Sequence, residues 1–581
     1  MHALPDSQCG SWVMIMTCKA ELAMSPYGFL YHVGLLSLEE AWQLFRKKAF
    51  QPNSVCPKEL MDKAKKIVQR CGGLPLSIAV AGGCLSSKPQ NEWPNFLQGL
   101  SDKWGSNYHF KTLTRMIQLS FNDLPYYVKS CLMHFCVFPE DAAVKVKTLV
   151  RLWVAEGFIQ AGENKTLEEV TEDILSALIG RSLVQAFEFH EDGRPRTCRV
   201  HHLICDLIFA IAQEENFTVN FSEEDTRPCE LVRRISIQDN FEQDLNLTRF
   251  CNLRSLYISG PVSLPLSSIQ MTIASFRFLK VLYLEAIPLK KFPTEVENLL
   301  LLKYLGLRHL QITGIPGSVG NLVDLQTLDL TGSQISALPK EILNLKHLRH
   351  LLVCHHITSG ASVPKGMGTL TSLQSLGCIN APEESSEVGE LKNLINLRRL
   401  CIKKLNKGDG SSFFSSIKKM DQLESLKVTF TNEDQILDPQ TIPTPPVGLQ
   451  RLHLRGRLAR LPGWAESLQN LIKMSLSGSR LKDDPFEILK SLPKLVALIF
   501  TRAYDGKELC CGAGGFPSLR VLKLSELHRL EAVNVEEGAF PCLRVLQIWH
   551  CPNLKKFPFC IQVGIEHEET KQRPQKDRGR R

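Results

Sequence analysis

Basic side chains recur at regular intervals in the second half of the chain, and they are the residues best suited to binding a partner. They are Arg308, Arg399, Lys403, Lys427, Arg451, Arg455, Lys473 and Lys523. At equivalent positions the only acidic residues are Glu285 and Asp329. Such an excess of cations on one surface favours an acidic protein partner, whereas a solvated charged face without a dedicated ligand is the alternative.

This basic row leads to a direct hypothesis. We expect it to dock an acidic protein surface, either elsewhere in the same chain or on another molecule. Reversing the charges of Arg451, Arg455 and Lys473 together should abolish that contact. Unchanged binding by the triple variant would remove the hypothesis.

Residue patterns for catalysis and metal binding are weak. The sequence has no HExxH motif and no serine nucleophile elbow, so no catalytic residues are predicted. His201, His202 and Cys205 cluster in sequence, as do the residues Cys354–His356, but neither set has a second ligand pair at usable spacing. The 19 cysteines include no Cys-x-x-Cys pair, which argues for reduced, mostly buried thiols. We therefore predict no metal site.

Composition and hydropathy are those of an intracellular globular protein. Hydrophobic residues make up 44% of the chain and charged residues 22%. The apolar run Trp12–Met16 is too short for a signal peptide, and no run approaches a membrane span. A net charge of +9 is modest for 581 residues and does not favour nucleic acid. We expect a cytoplasmic protein without an integral membrane segment, with membrane or nuclear association only through partners.

The basic residues are carried by an internal repeat. The pattern Leu-x-x-Leu begins at residues 253, 279, 302, 325, 348, 373, 397, 423, 449, 471, 495, 519 and 543. A spacing of 22–26 residues is typical of leucine-rich repeats. Alternating leucines in a short strand point inward and the residues between them point outward, so stacked repeats share one core. Each buried leucine contributes about 1.5–3 kcal/mol.

The second half of several repeats has its own pattern. Apolar residues recur every three or four positions, with a proline directly after the second of them, in Ile335–Leu345 and in Leu289–Leu299. The apolar residue before the proline is leucine in the first segment and phenylalanine in the second. We expect short helical or irregular turns there, on the convex side. The less regular stretches Asn380–Glu387 and Thr431–Pro446 are predicted to be loops.

The first half reads as helices. Ser37 precedes Leu38 and two glutamates, a typical N-cap with acidic first-turn residues. A second helix is expected over Lys58–Cys71, ended by Gly72 or Gly73 in the left-handed conformation, and Pro75 can begin the next helix.

Six motifs follow one another here in a specific order. They are Leu36–Phe45, Cys71–Leu76, Leu119–Pro125, Cys131–Asp141, Leu149–Ile159 and Arg199–Leu203. This series resembles the NB-ARC nucleotide switch of plant disease-resistance proteins of the coiled-coil class, in which the second motif is called GLPL and the last MHD. Together with the repeats, the resemblance covers almost the whole chain.

The resemblance implies a fold and a domain order. The implied fold class is an α/β leucine-rich-repeat solenoid, a parallel β horseshoe, preceded by all-α ARC helical and winged-helix domains. The expected segments are the end of a nucleotide-binding domain at 1–36, a helical ARC subdomain at 37–108, a winged-helix domain at 109–220, leucine-rich repeats at 221–560 and a disordered basic tail at 561–581. We expect an N-terminally truncated product or an incomplete gene model.

The resemblance also implies a nucleotide. In this family, ADP or ATP lies near the proline of GLPL and the histidine of MHD, here Pro75 and His201; a hydrogen-bonded histidine at a helix start is the alternative role for the latter. The chain has no Gly-x-x-x-x-Gly-Lys-Ser/Thr loop, and Cys18 and His202 replace an Arg and an Asp of the family pattern. We therefore expect no enzyme activity and weak or absent nucleotide binding. Low-micromolar ADP binding in isothermal titration would refute this.

The implied role is that of an innate immune receptor. Its repeats would recognise a pathogen effector or a guarded host protein, and they would regulate its own or another NB-ARC domain to trigger a defence response. The alternative is a non-signalling interaction protein that binds or titrates full-length receptors. A nucleotide hydrolase acting as a switch is disfavoured by the missing phosphate loop.

Overall fold

The computed structural model describes residues 16, 31–51, 56–100, 108–163, 165–220, 231–238, 250, 252–260, 273–354, 360–382, 385–431 and 446–555. Most of the predicted segment 1–36 and all of the predicted tail 561–581 lie outside these ranges, as do Cys18, His355 and His356. Two compact units emerge: residues 1–123 with 180–182, and residues 124–179 with 183–581.

The first unit consists of helices. They are α1 (Leu38–Ala49), α2 (Lys58–Arg70), α3 (Pro75–Ser86), α4 (Trp93–Gly99) and α5 (Tyr108–Asn122). Ser37 forms a full capping box with Glu40, as its position before α1 predicted. Phe45 on α1 is completely buried, and α1 packs against α3. The start of the unit is therefore set by local capping and by a narrow apolar stripe.

The turn between α2 and α3 confirms the predicted helix end. Gly72 and Gly73 have φ angles of 59° and 74°, and Pro75 is the first residue of α3. A Cβ atom on Gly73 would lie 2.6 Å from the carbonyl oxygen of Leu36. Both the left-handed backbone and the close approach require glycine at this position.

Replacing Gly73 with alanine is therefore expected to destabilise the first unit by about 1–3 kcal/mol. The strained φ and the collision with the Leu36 carbonyl both contribute. Urea unfolding of the whole chain, followed by circular dichroism, measures the change. Gly34→Ala is the matched control, because a Cβ there meets nothing within 4 Å. Equal midpoints for the two variants would show that Gly73 is not needed.

The second unit begins with a winged-helix arrangement. Its helices are α6 (Tyr126–Met133), α7 (Val146–Glu156), α8 (Leu167–Gly180) and α9 (His202–Glu214). Beside the expected helices stands a three-stranded antiparallel sheet in the order β1–β3–β2, formed by β1 (Val144–Lys145), β2 (Gln185–Phe189) and β3 (Pro195–Arg199). The β2–β3 hairpin is the wing, and Gly193 at its tip has a φ of 83°. The turn of the wing comprises residues 190–194, and the backbone N–H of His190 donates to the carbonyl of Arg194 at 2.8 Å to close it.

The repeats form one parallel sheet, as predicted. Its strands are β4 (Val219–Asn220), β5 (Arg234–Ile237), β6 (Ser255–Ser259), β7 (Val281–Glu285), β8 (Tyr304–Arg308), β9 (Thr327–Asp329), β10 (His350–Leu352), β11 (Ser375–Asn380), β12 (Arg399–Leu405), β13 (Ser425–Phe430), β14 (Arg451–Arg455), β15 (Lys473–Ser477), β16 (Ala497–Thr501), β18 (Val521–Ser525) and β20 (Val545–Trp549). Strands β17 (Glu508–Cys511) and β19 (Ala532–Val535) pair only with each other. Two strands, β4 and β5, precede the first Leu-x-x-Leu motif, and the leucine pattern did not reveal them.

Leucines stack in register along this sheet. Leu400 lies beside Leu426, which lies beside Leu452, and all three are buried. One continuous apolar core runs from Val219 to Leu546. Each repeat therefore depends on its neighbours to bury its leucines, as solenoid repeats do.

The connections on the opposite side match the predicted pattern in most places. Short 3₁₀ helices cover Thr294–Asn298 and Lys340–Asn344, within the two Pro-containing segments. The predicted loop at Asn380–Glu387 was wrong in part, because Asn380 ends β11 and helix α10 spans Ser385–Glu390. Helices α11 (Gly410–Ile417) and α12 (Phe486–Leu489) occupy later connections. The predicted loop at 431–446 lies mainly outside the described residues.

Candidate functional site

The sheet face that turns away from the leucine core carries the predicted basic row, and we call it the concave face. Arg399, Arg451 and Lys473 occupy the same position on their strands, because Ser425 pairs with both Arg399 and Arg451 and Arg451 pairs with Lys473. Parallel strands in register lie about 4.8 Å apart, so these cations form one ladder. Lys427 pairs with His453 one step further along the strands, and Lys523 stands at the same position on β18.

Two of the predicted residues are placed differently from the expectation. Arg308 is only 5% exposed, and its guanidinium donates to Asp329 at 2.8 Å and to Glu285 at 3.1 Å. Lys403 is 1% exposed and is not available to a large partner. From the sequence alone, Glu285 and Asp329 count as acidic residues exposed on the same face as the basic row. They are instead the intramolecular partners of Arg308, so this residue stabilises the repeat sheet.

Four acidic residues of the winged-helix domain face the basic ladder, and we call them the acidic clamp. They are Glu168, Glu169, Glu191 and Asp192. The first two stand in the first turn of α8, and the other two stand in the wing turn.

The clamp residues pair with successive strands of the repeats. Glu168 contacts Arg349 at 2.5 Å and His350 at 3.1 Å. Glu169 accepts from Arg398 at 2.9 Å. These contacts tie α8 to the strands around β10 and β12.

The wing makes the remaining clamp contacts. Asp192 accepts from Arg451 at 2.6 Å, and Glu191 pairs with Lys473. Arg194 in the same turn donates to Gln450 at 3.2 Å. Two cations of the ladder, Arg451 and Lys473, are therefore paired with acidic residues of the same chain.

Glu169 has two roles in this clamp. Its Oε2 atom accepts from the backbone N–H of Thr166 at 2.9 Å and completes a capping box at the start of α8. Its Oε1 atom is left for Arg398. A helix cap thus orients the carboxylate that reaches the repeats.

Electrostatics keep the clamp acids ionised. Burial alone would raise the pKa of Glu168, but the hydrogen bond from His350 and the charge of Arg349 outweigh it and lower the pKa. The pKa of Asp192 is also lowered, since Arg194 and Arg451 together outweigh its burial. Glu191 follows the same pattern with Lys473. Clamp formation is therefore favourable at neutral pH, and salt should weaken its more exposed pairs.

Sequence reasoning missed Arg349, His350 and Arg398. Arg349 and Arg398 directly follow the first leucine of their motifs, a position that the simple alternation of inward and outward residues does not assign to the concave face. His350 lies at an outward position but was not counted as basic. Its burial lowers the pKa to about 4 despite the hydrogen bond to Glu168, so the ring is neutral at pH 7.

A second contact between the winged-helix domain and the repeats is buried. Glu156 ends α7, and its carboxylate accepts from Arg234 of β5 at 2.9 Å and from the Tyr257 hydroxyl of β6 at 2.7 Å. His134 lies 2.7 Å from the same hydroxyl and 3.6 Å from the carboxylate. The guanidinium of Arg234 also lies over the ring of Phe217, 4.2 Å from its centroid. We call Glu156, Arg234, Tyr257 and His134 the buried network.

Apolar contacts surround this network. Leu152 and Ala155 of α7 pack in one cluster with Tyr257, Tyr283 and Tyr304 of three successive strands. The hydroxyl of Ser236 donates to the carbonyl of Val137 at 2.7 Å. The first repeats therefore share a core with the winged-helix domain, and the clamp adds a polar contact further along the sheet.

The two residues predicted to contact nucleotide each have a structural role. Pro75 opens α3 in the first unit. His201 caps α9 in the second unit, where its Nδ1 atom accepts from the backbone N–H of Leu203 at 3.3 Å. Burial lowers the pKa of His201, and the charge of the neighbouring His202, whose ring centroid lies 4.3 Å away, adds to the effect. The Nε2 atom of His201 takes no part in this cap.

The described ranges hold neither a metal-binding cluster nor a membrane-spanning helix. No group of three or more His, Cys, Asp or Glu residues there is arranged to hold a metal ion. Cys378 does contact Cys354 and Cys401 on neighbouring strands, with sulfur–sulfur distances of 3.2 and 2.9 Å. Among the helices of the described ranges, none has the length and apolarity needed to cross a bilayer.

Two family models match the chain. The model described as a leucine-rich repeat region matches residues 252–567, which is more than half of the chain. The model described as the winged-helix domain of disease-resistance proteins matches residues 137–208. The second range contains α7, α8 and the wing, and therefore all four clamp acids.

Curated relatives from Arabidopsis thaliana extend over nearly the whole chain. Disease resistance protein RPM1 is 34% identical over 98% of this chain and 62% of its own length. Putative disease resistance RPP13-like protein 3 is 31% identical over 94% of this chain and 63% of its own length. RPP13-like protein 2 is 29% identical over 94% and 64%. The chain thus spans less than two thirds of these relatives. It belongs to the plant disease-resistance proteins that carry a winged-helix domain and leucine-rich repeats.

Proposed function

We propose that the chain is the recognition and regulatory part of an innate immune receptor. Its repeats recognise a pathogen effector or a guarded host protein, and its winged-helix domain passes the event to an ADP/ATP-dependent NB-ARC switch that triggers a defence response. The family membership and the relatives' names support an immune role. The observation that carries the regulatory part is the acidic clamp on the concave face.

The acidic clamp connects partner recognition by the repeats with regulation of the switch by the winged-helix domain. A partner that binds the concave face around Arg398, Arg451 and Lys473 has to displace Glu169, Asp192 and Glu191. Displacement frees α8 and the wing, which in this family belong to the nucleotide switch. Partner binding and switching are then coupled because both depend on the same ion pairs.

Part of the concave face lies beyond the clamp. Lys427 and Lys523 stand on β13 and β18, and in the described structure neither contacts a clamp acid. We propose that an acidic effector or guarded protein first binds here and then competes with the clamp. Binding to its own or another NB-ARC domain uses the same winged-helix surface. The cytoplasm is the compartment that fits these partners.

Reversing the charges of three cations that pair with the acidic clamp tests this coupling. The variant Arg398→Glu/Arg451→Glu/Lys473→Glu should release α8 and the wing, because each former attraction becomes a repulsion. We expect hydrogen–deuterium exchange of residues 167–199 to rise at least tenfold. In leaf cells, the same variant should change the cell-death response relative to the wild-type chain.

A compensating variant is the control. Reversing Glu191 and Asp192 to lysine in the same protein should restore slow exchange of the wing, since the charges there become complementary again, and Glu169 is kept because it caps α8. If the triple variant exchanges like the wild type, the clamp does not hold the domains together and the proposed coupling is wrong.

The alternative function is that of a non-signalling protein that titrates full-length receptors. The clamp contacts are compatible with this alternative function, because the concave face would then bind the winged-helix domain of another receptor in trans. Co-expression with an active full-length relative separates the two. Suppressed cell death together with co-precipitation would favour titration.

A further inference from the structure

A polar cavity lies between the winged-helix domain and the repeats. Its volume is about 190 Å³, room for about six water molecules or one small anion with its water. Helices α7 and α8 line one side, and strands β10 to β14 with the residues preceding them line the other. The clamp pairs of Glu168 and Glu169 form part of its wall.

Three cations line this cavity without an ion-pair partner. Lys147 and Arg151 come from α7, and Arg399 comes from β12. Within the described ranges, none of the three makes a salt bridge or a hydrogen bond through its side chain. Arg151 is nine-tenths buried, with 9% of its surface exposed. The cavity thus gathers cations from both domains.

The other charged groups of the wall are already neutralised, with one exception. Glu168 pairs with Arg349, and Arg398 pairs with both Glu169 and Glu424. Arg194 pairs with Asp192. Glu172 is exposed to solvent and pairs with none of the three free cations, although its charge acts on Lys147 and Arg399. Beyond the wall, the charge of the buried Asp329 acts on Arg151. Lys147 and Arg399 are half-buried, and neither has a carboxylate within ion-pair distance in the described ranges.

Uncompensated cations in a buried site are unfavourable. Burial lowers the pKa of Lys147 to about 7, and the charges of Arg399 and Arg151 add to the effect. Burial likewise lowers the pKa of Arg399 to about 10, with Arg151 contributing. Either Lys147 gives up its proton or an anion enters. Phosphate suits the second solution, because it brings up to two negative charges and several acceptor oxygens to guanidinium groups that bind such oxygens in pairs.

We propose that this cavity binds a phosphate-class oxyanion between Lys147, Arg151 and Arg399. The source is free phosphate or the phosphoryl group of a small metabolite, since both present the same oxygens. The bound anion bridges α7 and β12 and so fastens the winged-helix domain to the repeats. The site shares an interface with the proposed clamp, but it uses different residues and is tested separately.

Titration of the full chain with inorganic phosphate tests the proposal. In isothermal calorimetry at constant ionic strength, we expect saturable binding of one phosphate per chain and a rise in the thermal midpoint with phosphate that sodium chloride does not produce. Arg399→Gln and Lys147→Met should each weaken binding at least tenfold. Lys340→Gln, which removes an exposed cation from the opposite side of the repeats, should leave binding unchanged.

The outcomes are decisive in both directions. Absence of saturable binding to the wild type, or equal affinities for wild type and Arg399→Gln, would overturn the proposal. Glycerol 3-phosphate as the second ligand separates the sources: tighter binding than inorganic phosphate identifies a metabolite site. Failure here leaves the clamp test intact, because Arg399 and Lys147 are not clamp partners. Circular dichroism confirms that each variant is folded.

Discussion

Replacing Glu156 with alanine is expected to lower the free energy of unfolding by about 3–5 kcal/mol, among the largest effects of any single change in this chain. The carboxylate is fully buried, and it neutralises Arg234 while accepting from Tyr257. Without it, the guanidinium stays buried between two aromatic rings with no counter-charge. Urea unfolding followed by circular dichroism measures the loss.

A matched control separates burial from charge. Glu526 also forms an ion pair, with Arg502 at 3.0 Å, but both side chains are about 40% exposed. Exposed pairs contribute at most about 1 kcal/mol, so Glu526→Ala should shift the midpoint little. Equal losses for the two variants would show that the buried network does not stabilise the junction.

The pH dependence gives a second check on Glu156. Burial would raise its pKa, yet Arg234 and His134 outweigh burial and hold the pKa well below its usual value. A lowered pKa means that the stabilisation is complete above the usual pKa near 4.5 and is lost only as the pH falls through the lower, folded-state value. The difference between wild type and Glu156→Ala should therefore stay nearly constant from pH 7 to pH 5.

Local sequence signals predicted much of this fold because they act over short distances. The leucine spacing fixes which residues enter the core, and Leu400, Leu426 and Leu452 stack as that spacing requires. Ser37 caps α1 and the Gly72–Gly73 pair ends α2 for reasons contained in a few residues. The strands β4 and β5 were missed because they precede the leucine pattern.

The partner of the basic ladder could not be assigned from sequence. Glu169 and Arg398 are separated by 229 residues. Glu169 reads locally as the last residue of a capping box, and Asp192 reads as part of an Asp-Gly turn. Nothing in either motif indicates a second contact. Only the docking of the winged helix on the sheet brings these charges together.

Arg308 illustrates the difference between counting charges and placing them. By sequence alone, Arg308 counts as a positive charge, and Glu285 and Asp329 as negative charges, on one exposed surface. In the sheet, Glu285 pairs directly with Arg308 across β7 and β8, and Asp329 ends the next strand. Glu285 lies 23 residues before Arg308 and directly opposite it, whereas Asp329 lies 21 residues after Arg308 and pairs with Gly306. The three charges are therefore neighbours, and Arg308 is paired within the fold. Register, rather than net charge, decides which basic residues can reach a partner.

Replacing Asp329 with alanine is the second change expected to cost about 3–5 kcal/mol. Asp329 is completely buried and accepts from Arg308 at 2.8 Å, while its other oxygen accepts from the Thr331 hydroxyl at 2.6 Å. Burial would raise its pKa, but Arg308 and then Arg151 outweigh it and lower the pKa. The variant leaves Arg308 with only the partly exposed Glu285. The urea midpoint should fall well below that of the control Asp324→Ala, whose carboxylate is exposed.

A double variant identifies the cause of that loss. Arg308→Met in the Asp329→Ala background removes the stranded cation and should recover part of the stability, because an apolar side chain fits the buried site better than an unpaired charge. If the double variant is less stable by the full sum of the two single losses, the ion pair is not the source of the effect. Recovery would show that Arg308 stabilises the sheet rather than presenting its charge to a partner, which leaves Arg398, Arg451 and Lys473 as the cations that hold the winged helix.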